Sequence, residues 1–160
     1  MRVDYEDNVS KEGLLFNPYM LGFDCANNVD SEKYRCYVFL VGVIRELLEE
    51  FRINISSKGY IYIQDCVIAI FDQRSMNIRF KTDVYPYVAS KYGIKDSATV
   101  EHNIRNAIVA AYKLNESDVY HNSAIMSSFG KRPTNKEFLL YVTNEVYRRL
   151  WNESVEFTRV

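Results

Sequence analysis

Apolar residues recur at alternating intervals of three and four residues in two long segments, and this spacing restricts the fold more than any other feature of the sequence. The first segment carries Tyr37, Val41, Ile44, Leu48 and Phe51. The second carries Tyr60, Ile63, Val67, Ile70 and Phe71. Side chains at this spacing lie on one face of an α-helix. The pattern predicts two amphipathic helices, over residues 31–52 and 60–74, that contribute to one core.

Both helices have a competing interpretation. β-Branched residues are frequent from Tyr60 to Ile63, so a short strand is the alternative there, although the continuing helical period favours a helix. The apolar stripe of the first helix is also compatible with a dimer seam, and a homodimer is therefore a candidate assembly. Stripes of this length more often pack in the core of their own chain.

A glycine separates two further helical patterns, residues 82–92 and the helix from Ser97 to Lys113. Thr82 is the expected N-cap of the first. Pro86 stands in its first turns, where a missing amide donor costs least. Gly93 supplies the left-handed backbone conformation that ends a helix. This order predicts a helix-turn-helix, a unit that occurs in DNA-binding proteins and also as a plain packing unit.

The helix from Ser97 to Lys113 has two faces of different chemistry. Its apolar face carries Val100, Ile104, Ala107, Ile108 and Ala111. The other face carries residue types that suit base edges in the DNA major groove, where Arg pairs with guanine, Asn with adenine and Glu with the cytosine amino group. The expected base-reading residues are Thr99, Glu101, His102, Arg105 and Asn106. The alternative is a row of ordinary solvated side chains.

Thr134 and Glu137 stand three residues apart just before an apolar run. This is the signature of a capping box, and it predicts a final helix that continues to about Trp151. Basic residues gather around the free amides at the start of this helix, which favours a phosphate there. An ordinary capped helix with surface lysines is the alternative interpretation.

The net charge of −1 does not by itself suggest a nucleic-acid-binding protein, because attraction to phosphate generally needs surplus Lys and Arg. The charge is unevenly distributed, however. Residues 1–53 are acidic, whereas basic residues outnumber acidic ones between Ile78 and Lys113. A basic strip on a neutral protein is compatible with DNA binding. The expected contacts to the DNA backbone are Lys91, Lys95, Ser97, Lys113, Lys131, Arg132, Asn135 and Lys136.

Membrane association and export find no support in the sequence. The apolar run from Tyr37 to Ile44 is far shorter than the roughly 20 residues of a membrane-spanning helix. Residues 1–7 are acidic and lack the apolar core of a secretory signal. We therefore expect a cytoplasmic location and no membrane partner.

Catalytic and metal chemistry find little support either. Cys25, Cys36 and Cys66 are odd in number and widely spaced, which favours reduced, buried thiols. Two histidines are too few for a zinc site without acidic help. Glu101 and His102 do not form an acid/base pair, because adjacent helix residues point about 100° apart. No metal, no cofactor and no enzymatic activity are expected.

Residues 1–30 combine closely spaced helix breakers with two apolar triplets, Leu14–Phe16 and Tyr19–Leu21. They predict an irregular, acidic arm that docks on its own core or on a partner subunit. One hypothesis places this arm over the basic strip as a competitor of DNA. Deletion of residues 1–30 should then tighten DNA binding, and unchanged affinity would exclude the idea. Residues 31–160 are expected to form one all-α domain of about six helices.

Several separated motifs, in consistent order and spacing, resemble one family. They are Lys58–Tyr62, Val84–Pro86, Ser97 with Val100–Glu101, Ile104–Ile108, Phe129–Gly130 and Pro133–Phe138. From about Leu47 to Leu150 the chain is similar to the DNA-binding effector domain of the stage-zero sporulation response regulator, protein A. The resemblance implies a compact six-helix domain whose helix from Ser97 reads promoter DNA, activating some genes and repressing others.

The chain also departs from that family. Thr99 and His102 stand where the family typically has arginine, and Asn106 where it commonly has histidine. Fewer charged readers imply a shifted or weaker sequence preference. Only about 50 residues precede the similar region, too few for a receiver domain, so control by phosphorylation of such a domain is not expected.

The leading hypothesis is a sequence-specific, DNA-binding transcription regulator. The alternative is a protein-interaction module or antagonist that keeps the fold but has lost specific DNA binding. Besides double-stranded DNA, the candidate partners are RNA polymerase, a full-length regulator and a second copy of the chain.

Overall fold

The computed structural model describes residues 29–72, 77–117 and 129–157, with side chains from Tyr37 to Asn152 within those ranges. The helices are α1 (Val29–Glu50), α2 (Lys58–Asp72), α3 (Tyr85–Lys91), α4 (Ser97–Ser117) and α5 (Asn135–Phe157). All regular structure in these ranges is helical, which confirms the all-α prediction. The expectations for the arm up to Asn28, and for Cys25, Cys36 and His121, concern positions outside the described backbone or side chains.

The core is built around α2, which packs against α1, α3, α4 and α5. From Gly59 to Phe71 only Ile61 is exposed. A helix that is apolar almost all round must be buried on all sides, and this explains its central position. The helical period predicted α2 and α1 correctly to within two residues at each end, and Tyr60–Ile63 lies in a helix rather than a strand. Cys66 is buried as predicted, and this burial raises the pKa of its thiol.

The backbones of α2 and α4 approach closely at Gly59. A Cβ atom on Gly59 would lie 2.6 Å from the Cβ of Ala107 and closer still to the carbonyl oxygen of Asn103. Real Cβ atoms essentially never come so near, so only glycine allows this spacing. The Lys58–Tyr62 motif therefore contains a packing requirement between the central helix and α4.

The predicted cap at Thr82 is wrong. Thr82 lies inside a π-helical turn, Phe80–Val84, which runs directly into α3. The amides of Val84 and Tyr85 donate to the carbonyls of Arg79 and Phe80, so the preceding turn already satisfies donors that a cap would serve. Pro86 occupies the first positions of α3, as predicted.

The helix-turn-helix prediction is correct in its geometry. Gly93 has φ of +65°, and the amide of Ile94 donates to the carbonyl of Ala89 at 2.8 Å. These features end α3 in the expected left-handed turn. Asp96 then caps α4, because its Oδ1 accepts from the amide of Ala98 at 2.9 Å.

The end of α4 was predicted too early. The helix continues past Lys113 to Ser117, and Asn115 is buried within it. The Asn115 Nδ2 donates to the carbonyls of Ala111 at 2.8 Å and of Phe51 at 3.3 Å. The extra turn therefore joins α4 to the chain segment that follows α1.

The capping box at the start of α5 is confirmed. The Glu137 amide donates to Thr134 Oγ1 at 3.2 Å, and the Thr134 amide donates to Glu137 Oε2 at 2.8 Å. These bonds from Thr134 lower the pKa of the Glu137 carboxyl. The helix runs to Phe157, beyond the predicted end near Trp151.

Thr134→Ala is expected to lower the free energy of unfolding by about 1 kcal/mol, because a helix amide loses its cap. Urea denaturation at pH 7 measures the change. Thr82→Ala is the matched control, since Thr82 is exposed and caps no helix, and it should stay within about 0.5 kcal/mol of wild type. Equal effects of the two substitutions would contradict the assignment of the cap.

Among the helices of the described ranges, none combines the length and the apolar character needed to cross a membrane.

Candidate nucleic-acid interface

One side of α4 is buried and the other is solvent-exposed. Val100, Ile104 and Ile108 are at most 1% exposed. The predicted readers Thr99, His102, Arg105 and Asn106 lie on the exposed side. Glu101 is placed between the two sides, with 25% of its side chain exposed. We call the five residues Thr99, Glu101, His102, Arg105 and Asn106 the reading row.

Four members of the reading row pair with one another along the helix. Arg105 Nη2 lies 3.5 Å from Glu101 Oε1, and Asn106 Nδ2 lies 3.1 Å from His102 Nε2. Both pairs are four residues apart on one helix. Exposed pairs of this kind contribute only about 0.2 to 0.5 kcal/mol. A ligand that offers stronger partners can therefore displace them without disturbing the helix.

The start of α5 lies against the first turns of α4. The Asn135 Nδ2 donates to the carbonyl oxygen of Glu101 at 2.9 Å, and Asn135 is 8% exposed. Asn135, expected among the contacts to the DNA backbone, thus uses its side-chain amide to join two helices. The junction places the basic start of α5 next to the first turns of α4. Lys131, Arg132 and Lys136 are exposed there.

Tyr85 adds α3 to this junction. Its phenol is hydrogen-bonded to Asn135 and is almost fully buried. Burial is the main cause that raises the pKa of Tyr85 to about 12, and the bond to Asn135 opposes it. The first turns of α4 are thus held by both α3 and α5.

The other predicted phosphate contacts are spread over the helix-turn-helix. Lys95 and Lys113 are exposed, and Ser97 is half-buried at the first position of α4. Lys113 lies about 24 Å along the helix from Ser97 at 1.5 Å per residue. Lys91 differs from these, because its ammonium lies 3.0 Å from the buried carboxylate of Asp65.

Residues 44–146 match the family described as sporulation initiation factor Spo0A C terminal. This match covers more than half of the chain and the whole helix-turn-helix. The chain belongs to the Spo0A C-terminal family.

This family is that of a DNA-binding regulatory domain in sporulation and not an enzyme family. Membership confirms the resemblance noted in the sequence, with boundaries within four residues of those expected. The part of α1 before Ile44 precedes the matched range. It carries Val38 and Phe39, whose apolar side chains are 49% and 39% exposed.

Sequence reasoning missed Asp65 in this Spo0A C-terminal domain. It is 3% exposed, and its two oxygens are bonded to the ammonium of Lys91 and the hydroxyl of Tyr92. Tyr92 directly follows α3; 42% of it is exposed, and its hydroxyl contacts α2. The sequence did contain a signal: Asp65 is the single carboxylate within the apolar run of α2. Because a buried charge requires a partner, this position could have been predicted to form a polar contact in the core.

The free energy of unfolding is expected to fall above about pH 10. The pKa of Tyr92 is raised, first by burial and then by its hydrogen bond to Asp65, and that of Tyr85 is raised to about 12. Because these folded-state pKa values exceed the value of about 10 in an unfolded chain, the stabilisation is complete below pH 10 and is lost as the pH rises. Urea denaturation between pH 9 and pH 11.5 measures this slope.

Tyr92→Phe should make that alkaline slope shallower, because one of the responsible phenols is gone. Tyr147→Phe is the control, since it removes a phenol whose hydroxyl donates to the Phe71 carbonyl at 2.9 Å, away from Asp65. An unchanged slope in Tyr92→Phe would show that the Asp65 contact does not govern the alkaline transition.

Proposed function

We propose that this Spo0A C-terminal domain is a sequence-specific transcription regulator that inserts the reading row of α4 into the DNA major groove. The observation that carries the proposal is the exposed row on a helix whose opposite face is buried against α2 and α3. A helix held in this way presents its side chains at a fixed angle, which base recognition requires.

The residue types of the row suit specific base contacts. Arg105 is 63% exposed at its side chain and can donate two hydrogen bonds to guanine. Asn106 can pair with adenine, and Glu101 can accept from a cytosine amino group. The Glu101–Arg105 and His102–Asn106 pairs exchange their internal partners for bases on binding. Thr99 completes the row with a methyl group and a hydroxyl.

The phosphate contacts come from two elements beside the row. Lys95 and Ser97 precede or begin α4, and Lys113 lies near its far end. Lys131, Arg132 and Lys136 surround the start of α5, which Asn135 holds against α4. Basic side chains on both sides of a reading helix can fix its position on the sugar-phosphate backbone. We place the protein in the cytoplasm, together with the DNA that it binds.

A protein-interaction role is the second candidate function. The exposed apolar pair Val38 and Phe39, in the part of α1 outside the family match, favours it. In this role the partner is a full-length regulator, RNA polymerase or a second copy of the chain. If this chain captures such a partner but binds no duplex DNA, the protein-interaction role is supported instead of DNA reading.

Selection of bound sequences from a random duplex pool tests the proposal. A DNA-reading domain should enrich a short common motif over successive rounds, because each good base contact contributes about 1 to 3 kcal/mol of discrimination. If the protein binds the pool but enriches no motif, it binds DNA phosphates without reading the sequence, and the proposal of sequence-specific recognition is rejected.

A further inference from the structure

A buried carboxylate on α2 contacts two consecutive residues at the end of α3. Asp65 Oδ1 lies 3.0 Å from Lys91 Nζ, and Asp65 Oδ2 accepts a short hydrogen bond from the Tyr92 hydroxyl. Asp65 itself is 3% exposed. Both carboxylate oxygens are therefore occupied by the residues that directly precede Gly93.

The neighbouring groups restrict Tyr92 further. Its ring centroid lies 5.4 Å from that of Tyr62 on α2, and the Lys91 ammonium lies 5.7 Å above the Tyr92 ring. The Tyr92 amide donates to the Ala89 carbonyl at 3.2 Å, which closes the last turn of α3. Tyr92 is thus fixed through its backbone, its ring and its hydroxyl. This fixes the point from which the chain turns into α4.

We propose that Asp65 is a positioning residue for base recognition, which sets the direction of α4 by holding Lys91 and Tyr92. The inference rests on the proposed function, because its consequence is a change in DNA recognition. Asp65 touches no base and needs no exposure for this role. The direction of α4 matters because hydrogen bonds to base edges weaken steeply outside a narrow range of distance and angle. A small rotation of α4 would therefore weaken the base contacts of the whole reading row.

Tyr92→Phe is the sharpest test, because it removes one hydroxyl and leaves the ring in place. Tyr147→Phe is the matched control: it removes a hydroxyl that also bonds to α2, at the Phe71 carbonyl. Asp65→Asn keeps the size of the side chain and removes its charge. Each variant of the full chain is compared with wild type in two measurements. These are the ratio of affinities for a selected and a scrambled duplex, and the backbone amide resonances by NMR.

The expected result is that Tyr92→Phe lowers the affinity ratio at least about fivefold, the loss of one good base contact. Its amide resonances should shift from Gly93 into the reading row. Tyr147→Phe should leave both the ratio and the α4 resonances unchanged. Asp65→Asn should lower the ratio at least as far as Tyr92→Phe, because it removes the charge that pairs with Lys91 and leaves one oxygen to accept from two donors.

A ratio and an α4 spectrum that are the same in Tyr92→Phe as in Tyr147→Phe would overturn the inference. If wild-type protein binds no duplex, the proposed function fails separately. The amide resonances then decide whether Asp65 sets the direction of α4. Shifts that reach the reading row support the positioning role, and shifts confined to residues around the Tyr92 ring reject it.

Discussion

Gly59→Ala is expected to lower the free energy of unfolding by about 3 kcal/mol. The new methyl group would lie 2.6 Å from the Cβ of Ala107, with the Asn103 carbonyl oxygen even nearer. Neither obstacle is the end of a flexible side chain, so α2 and α4 must move apart. Overpacking of a core costs about 1 to 3 kcal/mol and sometimes more, which exceeds what alanine gains as a better helix former. The melting temperature should fall by roughly 5 to 10 °C.

Gly42→Ala is the control for this prediction. Gly42 also lies within a helix, but among the residues that the structure describes no atom outside its own helical turns would lie within 4 Å of a Cβ there. With no contact to oppose it, alanine should stabilise α1 by about 0.5 to 1 kcal/mol. Thermal denaturation of the two variants separates the effect of close packing from that of helix propensity. A Gly59→Ala variant as stable as wild type would mean that α2 and α4 are not as close as described.

Arg105→Ala is expected to abolish most of the discrimination between a selected and a scrambled duplex. Arg105 is the one arginine of the reading row, and a bidentate pair with guanine contributes about 1 to 3 kcal/mol, or roughly 5-fold to 150-fold. The fold should not change, because the ion pair with Glu101 is exposed and long at 3.5 Å. Competition binding with both duplexes measures the ratio, and urea denaturation verifies the stability.

Lys131→Ala is the matched control for Arg105→Ala. Lys131 is exposed at the start of α5 and is assigned to phosphate. Its loss should weaken binding to all sequences alike. The slope of log affinity against log salt should become shallower by about one, because one fewer phosphate is neutralised. If Arg105→Ala behaved in the same way as Lys131→Ala, with discrimination intact, then Arg105 would hold phosphate and not a base.

The fold was largely predictable because its determinants are local in sequence. The period of apolar residues defined α1, α2 and α4, and Gly93 and the Thr134–Glu137 pair marked two helix boundaries. The prediction of a helix cap at Thr82 was wrong, and the reason also lies close by in the sequence. A π-helical turn before α3 already supplies hydrogen-bond acceptors for the first backbone amides of α3. No residue pattern in the sequence predicts such a turn.

The contacts that organise the interface were not predictable, because they join distant positions. Asn135 was assigned to the surface from its place in a basic helix start, yet its amide meets a carbonyl 34 residues away. Asn115 bonds to the carbonyl of Phe51, and Asp65 finds its partners on α3. The exposed reading row could be predicted, since it is the complement of the apolar face. The residues that hold α4 in its orientation could be identified only from the tertiary structure.

We expect the exposed face of α4, together with the basic residues near it, to bind double-stranded DNA. Fluorescence anisotropy with duplex DNA across a salt series measures this binding. We predict binding at low ionic strength that weakens steeply with salt, with a slope of about −4 to −5 in log affinity against log salt if Lys95, Lys113, Lys131, Arg132 and Lys136 each neutralise a phosphate. Purified protein that binds no duplex at low salt would contradict the claim.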